Sequence, residues 1–270
     1  MSDERNRPNN LLLEVESIAR LAGEAILEVY DSSDLSASLK PDQSPVTAAD
    51  LVSEEVIRNG LMQLSVQYLI VSEESTSISF EERVAANRLW IVDPLDGTKE
   101  FLKRNDEFCV CIALIEKRRP ILGVIHAPVS GKSYLAAKGE GVLVRSASGE
   151  FSQLSPKPRA PSIGTNDLRF GVSRSHLNQA TKDYLLHFEK PRLVPMGSAL
   201  KFCALAEGML DVYPRFGPTM EWDTAAGDLM VHESGGSLRD SETNEPLSYN
   251  KSVLVNSSFI AKGHTLNVAR

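Results

Sequence analysis

The chain has 270 residues, 42% of them hydrophobic and 24% charged, which is enough for one large or two modest globular domains with disorder expected only at the ends. Its formal charge of −7 argues against a general nucleic-acid binder, which presents a basic face or tail, and leaves room only for a local basic pocket. No apolar run reaches the ~18 residues of a membrane span, and MSDERNRPNN lacks the apolar core of a secretory signal, so a cytoplasmic setting is expected, with peripheral contact at the inner membrane left open.

In chain order, LLLEVESIARLAGEAILEVYDSS returns apolar residues at helical spacing (Leu12, Val15, Ile18, Leu21, Ile26, Val29) and predicts an opening helix packed on a sheet. SLKPDQSPVTAAD reads as a loop or short hairpin, ADLVSEEVIRNGLMQL as a second helix, and YLIVSEES as a short buried strand ending in two glutamates. WIVDPLDGTKEF is an apolar run meeting Pro94 and Gly97, which predicts a buried strand that stops at Asp93-Pro94 and gives way to a helix begun by GTKEFLKR.

FCVCIALIEKRRPILGVIHAPVSGKSYLAAKGEGVLV alternates strand-like runs with turn residues at Arg119-Pro120, Ser130-Gly131 and Gly139-Glu140-Gly141, the pattern of an antiparallel meander. Its Cys109 and Cys111, with Cys203 further on, make neither a CxxC pair nor an even-numbered framework and read as small buried hydrophobes in a reducing compartment. FSQLSPKPRAPSIGTND is the most linker-like stretch and predicts a division into residues 1–160 and 161–270. Beyond it come a strand (LRFGVS), helices at NQATKDYLLHFEK and GSALKFCALAEG, and a further helix from Asp223 to a glycine cap near Gly235. Sheets and helices in blocks make the fold α/β, or α+β, in layers.

The chemistry collects at the acids. Asp93 and Asp96 leave one strand end close together, and two carboxylates so placed repel unless cations or basic groups intervene. Magnesium takes six oxygen ligands, so this turn begins a site that other acids must complete. Glu73 and Glu74 end a strand, Asp223 precedes a helix beside Trp222, and Asp50 closes SPVTAAD. Gly97 and Thr98, at the start of the next helix, offer backbone amides suited to a phosphate oxygen. Acids for a metal beside amides for a phosphate describe phosphoryl-group hydrolysis. Asp228 and Glu233 read as solvated or capping groups, and His126, His187 and His232 carry no motif.

In WIVDPLDGTKEF and WDTAAGDLMVHESGG, together with SPVTAAD and VSEES, the chain resembles the magnesium-dependent, lithium-sensitive phosphatases that include inositol monophosphatase. The resemblance runs from about Leu11 to the end. It implies a layered αβαβα sandwich of the inositol monophosphatase and fructose-1,6-bisphosphatase type. It implies two or three Mg2+ ions held by Glu73, Asp93, the carbonyl of Leu95, Asp96 and Asp223. It also implies that Thr98, with Glu73 or Asp50, orients and deprotonates the water that attacks phosphorus, with Gly97 and Asp223 contacting the substrate.

Within that family, GSALKFC, YPRFGP and Lys99 after DGT resemble the subgroup that cleaves the 3'-phosphate of 3'-phosphoadenosine 5'-phosphate, the CysQ type of 3'(2'),5'-bisphosphate nucleotidase. Inositol monophosphatases tend to carry an acid near the position of Arg215, and an arginine cannot accept hydrogen bonds from ring hydroxyls. Its planar fork suits a second phosphate, with Lys201 adding a point charge. The resemblance gives Ser198, Lys201 and Arg215 to the 5'-phosphate, and sets His176 near the adenine or sugar. Ala199 stands where the subgroup often has a second serine, which removes one hydroxyl contact. The expected partner is a nucleotide bisphosphate, with its sulfated relative a further substrate. A sugar-phosphate phosphatase, or a partner-binding protein with incidental activity, are the alternatives; oligomeric state is unassigned.

Overall fold

The computed structural model describes residues 9–32, 37–39, 45–75, 77–155, 167–174 and 177–267. Helix α1 (Asn10–Tyr30) is capped by Asn9, whose side chain accepts from Leu11 N, and buries Leu12, Val15, Ile18, Ala22 and Ile26 along one face. A hairpin of β1 (Ala37–Leu39) and β2 (Pro45–Thr47) leads into α2 (Ala48–Gln63). Then come β3 (Leu69–Ser72), α3 (Phe80–Ala85), β4 (Arg88–Asp96) and α4 (Thr98–Leu102). The meander follows as β5 (Cys109–Glu116), β6 (Arg119–Ala127), β7 (Lys132–Ala137), β8 (Gly141–Arg145) and β9 (Phe151–Gln153). Strands β3 to β9 lie side by side in one seven-stranded sheet in sequence order.

The remaining elements are β10 (Arg169–Ser173), α5 (Gln179–Leu185), β11 (Arg192–Met196), α6 (Leu200–Ala206), β12 (Val212–Arg215), α7 (Ala225–Glu233), β13 (Ser237–Asp240), β14 (Phe259–Lys262) and α8 (His264–Asn267). They supply a five-stranded sheet in the order β11-β10-β12-β14-β13.

Side-chain alternation along β4 shows how the layers stack. Trp90 and Val92 join α1 and α2 in one core, while Leu89 and Ile91 on the other face join α6, α7 and the second sheet. A third cluster of Phe170, Val172, Val212 and Leu185 covers the far side of the second sheet with α5. The result is the expected αβαβα sandwich. The same parity that sends Ile91 toward α6 and α7 sends Asp93 there, so the layer order itself carries the acid into the middle of the molecule.

Four expectations are corrected. Strand β4 does not stop at Pro94 but runs to Asp96, and its pairing with β5 skips between Asp93 and Asp96. Pro94 sits in that irregular step, where no ladder donor is required of it. The β5–β6 turn falls on Lys117 and Arg118, whose φ values are 48° and 64°, and Pro120 belongs to β6 opposite Ile115. Helix α7 begins at Ala225, leaving Asp223 in the preceding turn, where its carboxylate accepts from Met220 N at 2.9 Å. Asp228 is not solvated: it is 1% exposed and lies 3.0 Å from Arg119, at an angle that leaves its Oδ2 without a hydrogen bond. Glu233 accepts from Gly139 N and Gly141 N in the β7–β8 turn rather than capping its own helix. The expected division near residue 160 lies outside the described residues.

Candidate active site

Three segments deliver four acids to one open cleft. Glu73 comes from the turn after β3, Asp93 and Asp96 from the end of β4, and Asp223 from the turn before α7; the cleft is lined by all four, with Leu95, Gly97, Thr98, Lys99, Ser198, Lys201 and Arg215. One carboxylate oxygen each from Glu73, Asp93 and Asp223 lie within 4.8 Å of one another. Asp93 also closes a local turn by accepting from Leu95 N at 3.0 Å, which fixes the carboxylate against its own backbone. The Leu95 side chain is buried, and its carbonyl lies 3.4 Å from the Thr98 hydroxyl.

The electrostatics show that this grouping is unfavourable alone. Burial, then repulsion from Glu73, Asp96 and Asp223, drives Asp93 well above the ordinary carboxylate range. Burial and Asp96 do the same to Asp223. Asp96 is pushed up to about 6 by burial, although Lys201 and the Ala199 N–H, 2.5 Å from its Oδ2, pull the other way. Oxygen-only donors held together against such repulsion fit a hard divalent cation, whose charge would return them to the ionised form.

Thr98 and Asp50 meet as expected. Asp50 sits in the first turn of α2, where its Oδ2 accepts from both Thr47 N and Thr47 Oγ1 at 2.7 Å; its Oδ1 lies 3.3 Å from the Thr98 hydroxyl. Gly97 has φ 101°, and a Cβ there would meet Glu107 O at 2.9 Å, so glycine is needed both for the left-handed turn and for the close backbone approach. Lys99 is exposed at the rim.

The basic wall has an arrangement that spacing alone does not reveal. Lys201 is 4% exposed, and its ammonium donates to Ser198 O at 2.6 Å and Met196 O at 3.1 Å, 5.1 Å above the Tyr213 ring. Burial brings it down to about 8 despite the neighbouring Asp96. Two of its three N–H groups therefore hold the loop carrying Ser198, whose φ of 47° is left-handed. Arg215, at the end of β12, donates through Nη2 to Pro218 O at 3.2 Å, and its buried Nε has no hydrogen-bond partner. His176 lies outside the described residues.

Two participants were missed. Glu100, 7% exposed, lines the cleft beside the Ser198 loop; its place directly after Lys99 in the first turn of α4 was the available signal. Glu107 takes both Arg174 Nε (2.7 Å) and Nη2 (2.6 Å), and Gly197 N at 2.7 Å, so one carboxylate ties the loop before β5 to the loop before α6. Nothing in the local sequence marks that pairing.

Comparison with known proteins identifies the family. The model of the inositol monophosphatase family matches residues 9–269. The 3'(2'),5'-bisphosphate nucleotidase CysQ of Escherichia coli strain K12 is 42% identical over 240 residues, covering 88% of this chain and 94% of that protein. Its namesake from Haemophilus influenzae is 34% identical over 256 residues, covering 94% and 93%. Among solved structures, CysQ from Bacteroides thetaiotaomicron superposes with a TM-score of 0.81 at 36% identity, covering 94% of this chain and 97% of that one. The chain belongs to the inositol monophosphatase family.

Proposed function

We propose that this family member removes the 3'-phosphate of 3'-phosphoadenosine 5'-phosphate with magnesium as cofactor, giving adenosine 5'-monophosphate and phosphate, and that it also acts on the sulfated relative of that nucleotide. The observation that carries the reading is the composition of one cleft, which Glu73, Asp93, Asp96 and Asp223 line together with Lys201 and Arg215. A substrate with one phosphate needs only the acids, whereas a bisphosphate also uses the two basic groups. The names of the relatives at 34–42% identity support the same substrate class.

Glu73, Asp93, the Leu95 carbonyl, Asp96 and Asp223 would hold two or three magnesium ions, which when bound would supply positive charge to the phosphate and acidify the attacking water. The chain's own residues set the geometry. Thr98 donates to Asp50, which leaves a lone pair on its hydroxyl to accept the water's proton as its own proton moves toward Asp50 Oδ1. Glu73 offers a second acceptor in the same cleft. Hydroxide attacks phosphorus, the bond to the ribose 3'-oxygen breaks, and that oxygen takes a proton from solvent, so no covalent enzyme intermediate is needed. In the same cleft the unpartnered Arg215 Nε and the remaining Lys201 proton hold the 5'-phosphate, with Ser198 contributing its hydroxyl.

Identification of the nucleotide product tests the orientation. Adenosine 5'-monophosphate formed only with Mg2+ present, and lost on chelation, is the expected result. Adenosine 3'-monophosphate as product would reverse the placement of the two phosphates.

A further inference from the structure

Beneath the cleft floor lies a second donor set of different chemistry. Cys109 and Cys111 are two positions apart on β5, so alternation places both thiols on one face of the sheet. The β4–β5 pairing sets Cys111 opposite Asp93 and, beyond the irregular step, Cys109 opposite Asp96. The two Sγ atoms are 3.8 Å apart, and they and an Asp96 oxygen all lie within 4.8 Å of one another. Tetrahedral zinc with Zn–S bonds of ~2.3 Å requires its two sulfurs ~3.8 Å apart. The thiols thus stand at the required spacing before any ion arrives, and a small rotation of the Asp96 side chain supplies an oxygen.

We propose that Cys109, Cys111 and Asp96 form a binding site for a thiophilic divalent cation, zinc fitting best, and that occupation of this site shuts down the magnesium-dependent reaction. Sulfur donors select zinc over magnesium, so the cation of the carboxylate cluster does not compete for the thiols. Access runs from the cleft: Asp96 lines it, while both cysteines are buried directly behind. As the sulfurs ligate, each thiol releases its proton to solvent. An Asp96 oxygen drawn onto the zinc is lost to the carboxylate set, and the rotation also disturbs the bond Asp96 accepts from Ala199 N. Zinc is thereby an inhibitor that works by removing one ligand rather than by filling the magnesium position. The inhibitory half rests on the reading of Asp96 as a magnesium ligand; the binding half does not.

The test titrates the metal-free full-length protein with Cd2+, whose thiolate complexes absorb in the ultraviolet, and measures Zn2+ affinity by competition with a chromophoric chelator. Wild type and Cys203→Ser should each develop a thiolate-cadmium band saturating at one ion. Cys109→Ser/Cys111→Ser should show no band and bind Zn2+ more weakly by well over the ~10–100-fold that changes around a metal's ligands cost. In parallel, Zn2+ well below the Mg2+ concentration should abolish phosphate release by wild type and spare the double variant. Absence of the band in wild type, which needs no variant to fold, overturns the site. Equal zinc inhibition of wild type and double variant overturns the switch, since zinc would then act in the carboxylate cluster. A wild type that forms the band but hydrolyses no nucleotide refutes the proposed function and the switch, while the binding site stands.

Discussion

Stability in the absence of metal should depend on pH in a way that magnesium removes. Asp96, ordinarily near 3.8, is pushed up to about 6 in the folded protein, mainly by burial. The folded state therefore holds this proton more tightly than the unfolded chain. Its stabilisation is complete below the unfolded value and is lost as pH rises through about 6. At ~1.4 kcal/mol per tenfold change in proton affinity, the loss from Asp96 is roughly 3 kcal/mol. Asp93 and Asp223, raised in the same direction, carry the loss to higher pH. In a chain of this size ~1 kcal/mol moves Tm by about 2–4 °C, so Asp96 alone accounts for roughly 6–12 °C. Bound magnesium compensates the ionised carboxylates, and about half of the Asp96 loss has already occurred by pH 5, so the Tm increase on adding Mg2+ should be larger at about pH 8 than at about pH 5 by at least about 3–6 °C. Thermal unfolding followed by circular dichroism, with Mg2+ or with a chelator, measures it. Asp96→Asn should lose much of the difference. An Mg2+ effect of equal size at both pH values would refute the argument that ion binding relieves carboxylate repulsion here.

Other outcomes follow from the same geometry. Asp93→Asn or Asp223→Asn should lower kcat by ~10²-fold or more with the fold retained by circular dichroism, and normal turnover in either would remove that residue from the site. Arg215→Glu should raise KM for the bisphosphate by roughly 10- to 150-fold, the equivalent of a charge-assisted contact of ~1.5–3 kcal/mol, while leaving a monophosphate substrate little changed. Gly197→Ala would place a Cβ 2.6 Å from Glu100 Cγ and 2.8 Å from Glu107 O, displacing the Ser198 loop. Its kcat/KM for the bisphosphate should fall ~10²-fold, beyond what a stability loss of ~1–3 kcal/mol explains, as steady-state kinetics at a temperature well below Tm would show.

How much of this was legible depended on whether the determining contacts were local. Helical periodicity in α1 and α2, the meander, and the run DPLDGT were readable because each is set by its own side chains and turn residues. The acids Glu73, Asp93, Asp96 and Asp223 were named from strand ends and helix starts, and the structure brings them to one cleft. Misreadings occurred where tertiary pairing overrides local signals. Pro120 looked like a turn residue, yet the hairpin tip accepts Lys117 and Arg118 in left-handed conformations and the proline falls inside β6. Asp228 looked solvated because nothing in its helix shows that Arg119, from a neighbouring sheet strand, covers it. The same holds for His126, which contacts Ser133 at 2.9 Å, while Ser133 donates to Glu16 at 2.7 Å; three segments build that buried chain. The Glu107–Arg174 clamp joins residues 67 positions apart, a distance over which no spacing rule operates.

The account's central claim is that the cleft hydrolyses one phosphate at its acids while its basic groups hold a second. Its most direct test is the ratio of kcat/KM for 3'-phosphoadenosine 5'-phosphate to that for inositol 1-phosphate, measured with purified protein and saturating Mg2+. A ratio well above one, falling toward one in Arg215→Glu, is predicted. A preference for the inositol ester, or a ratio indifferent to Arg215, would contradict the two-phosphate site.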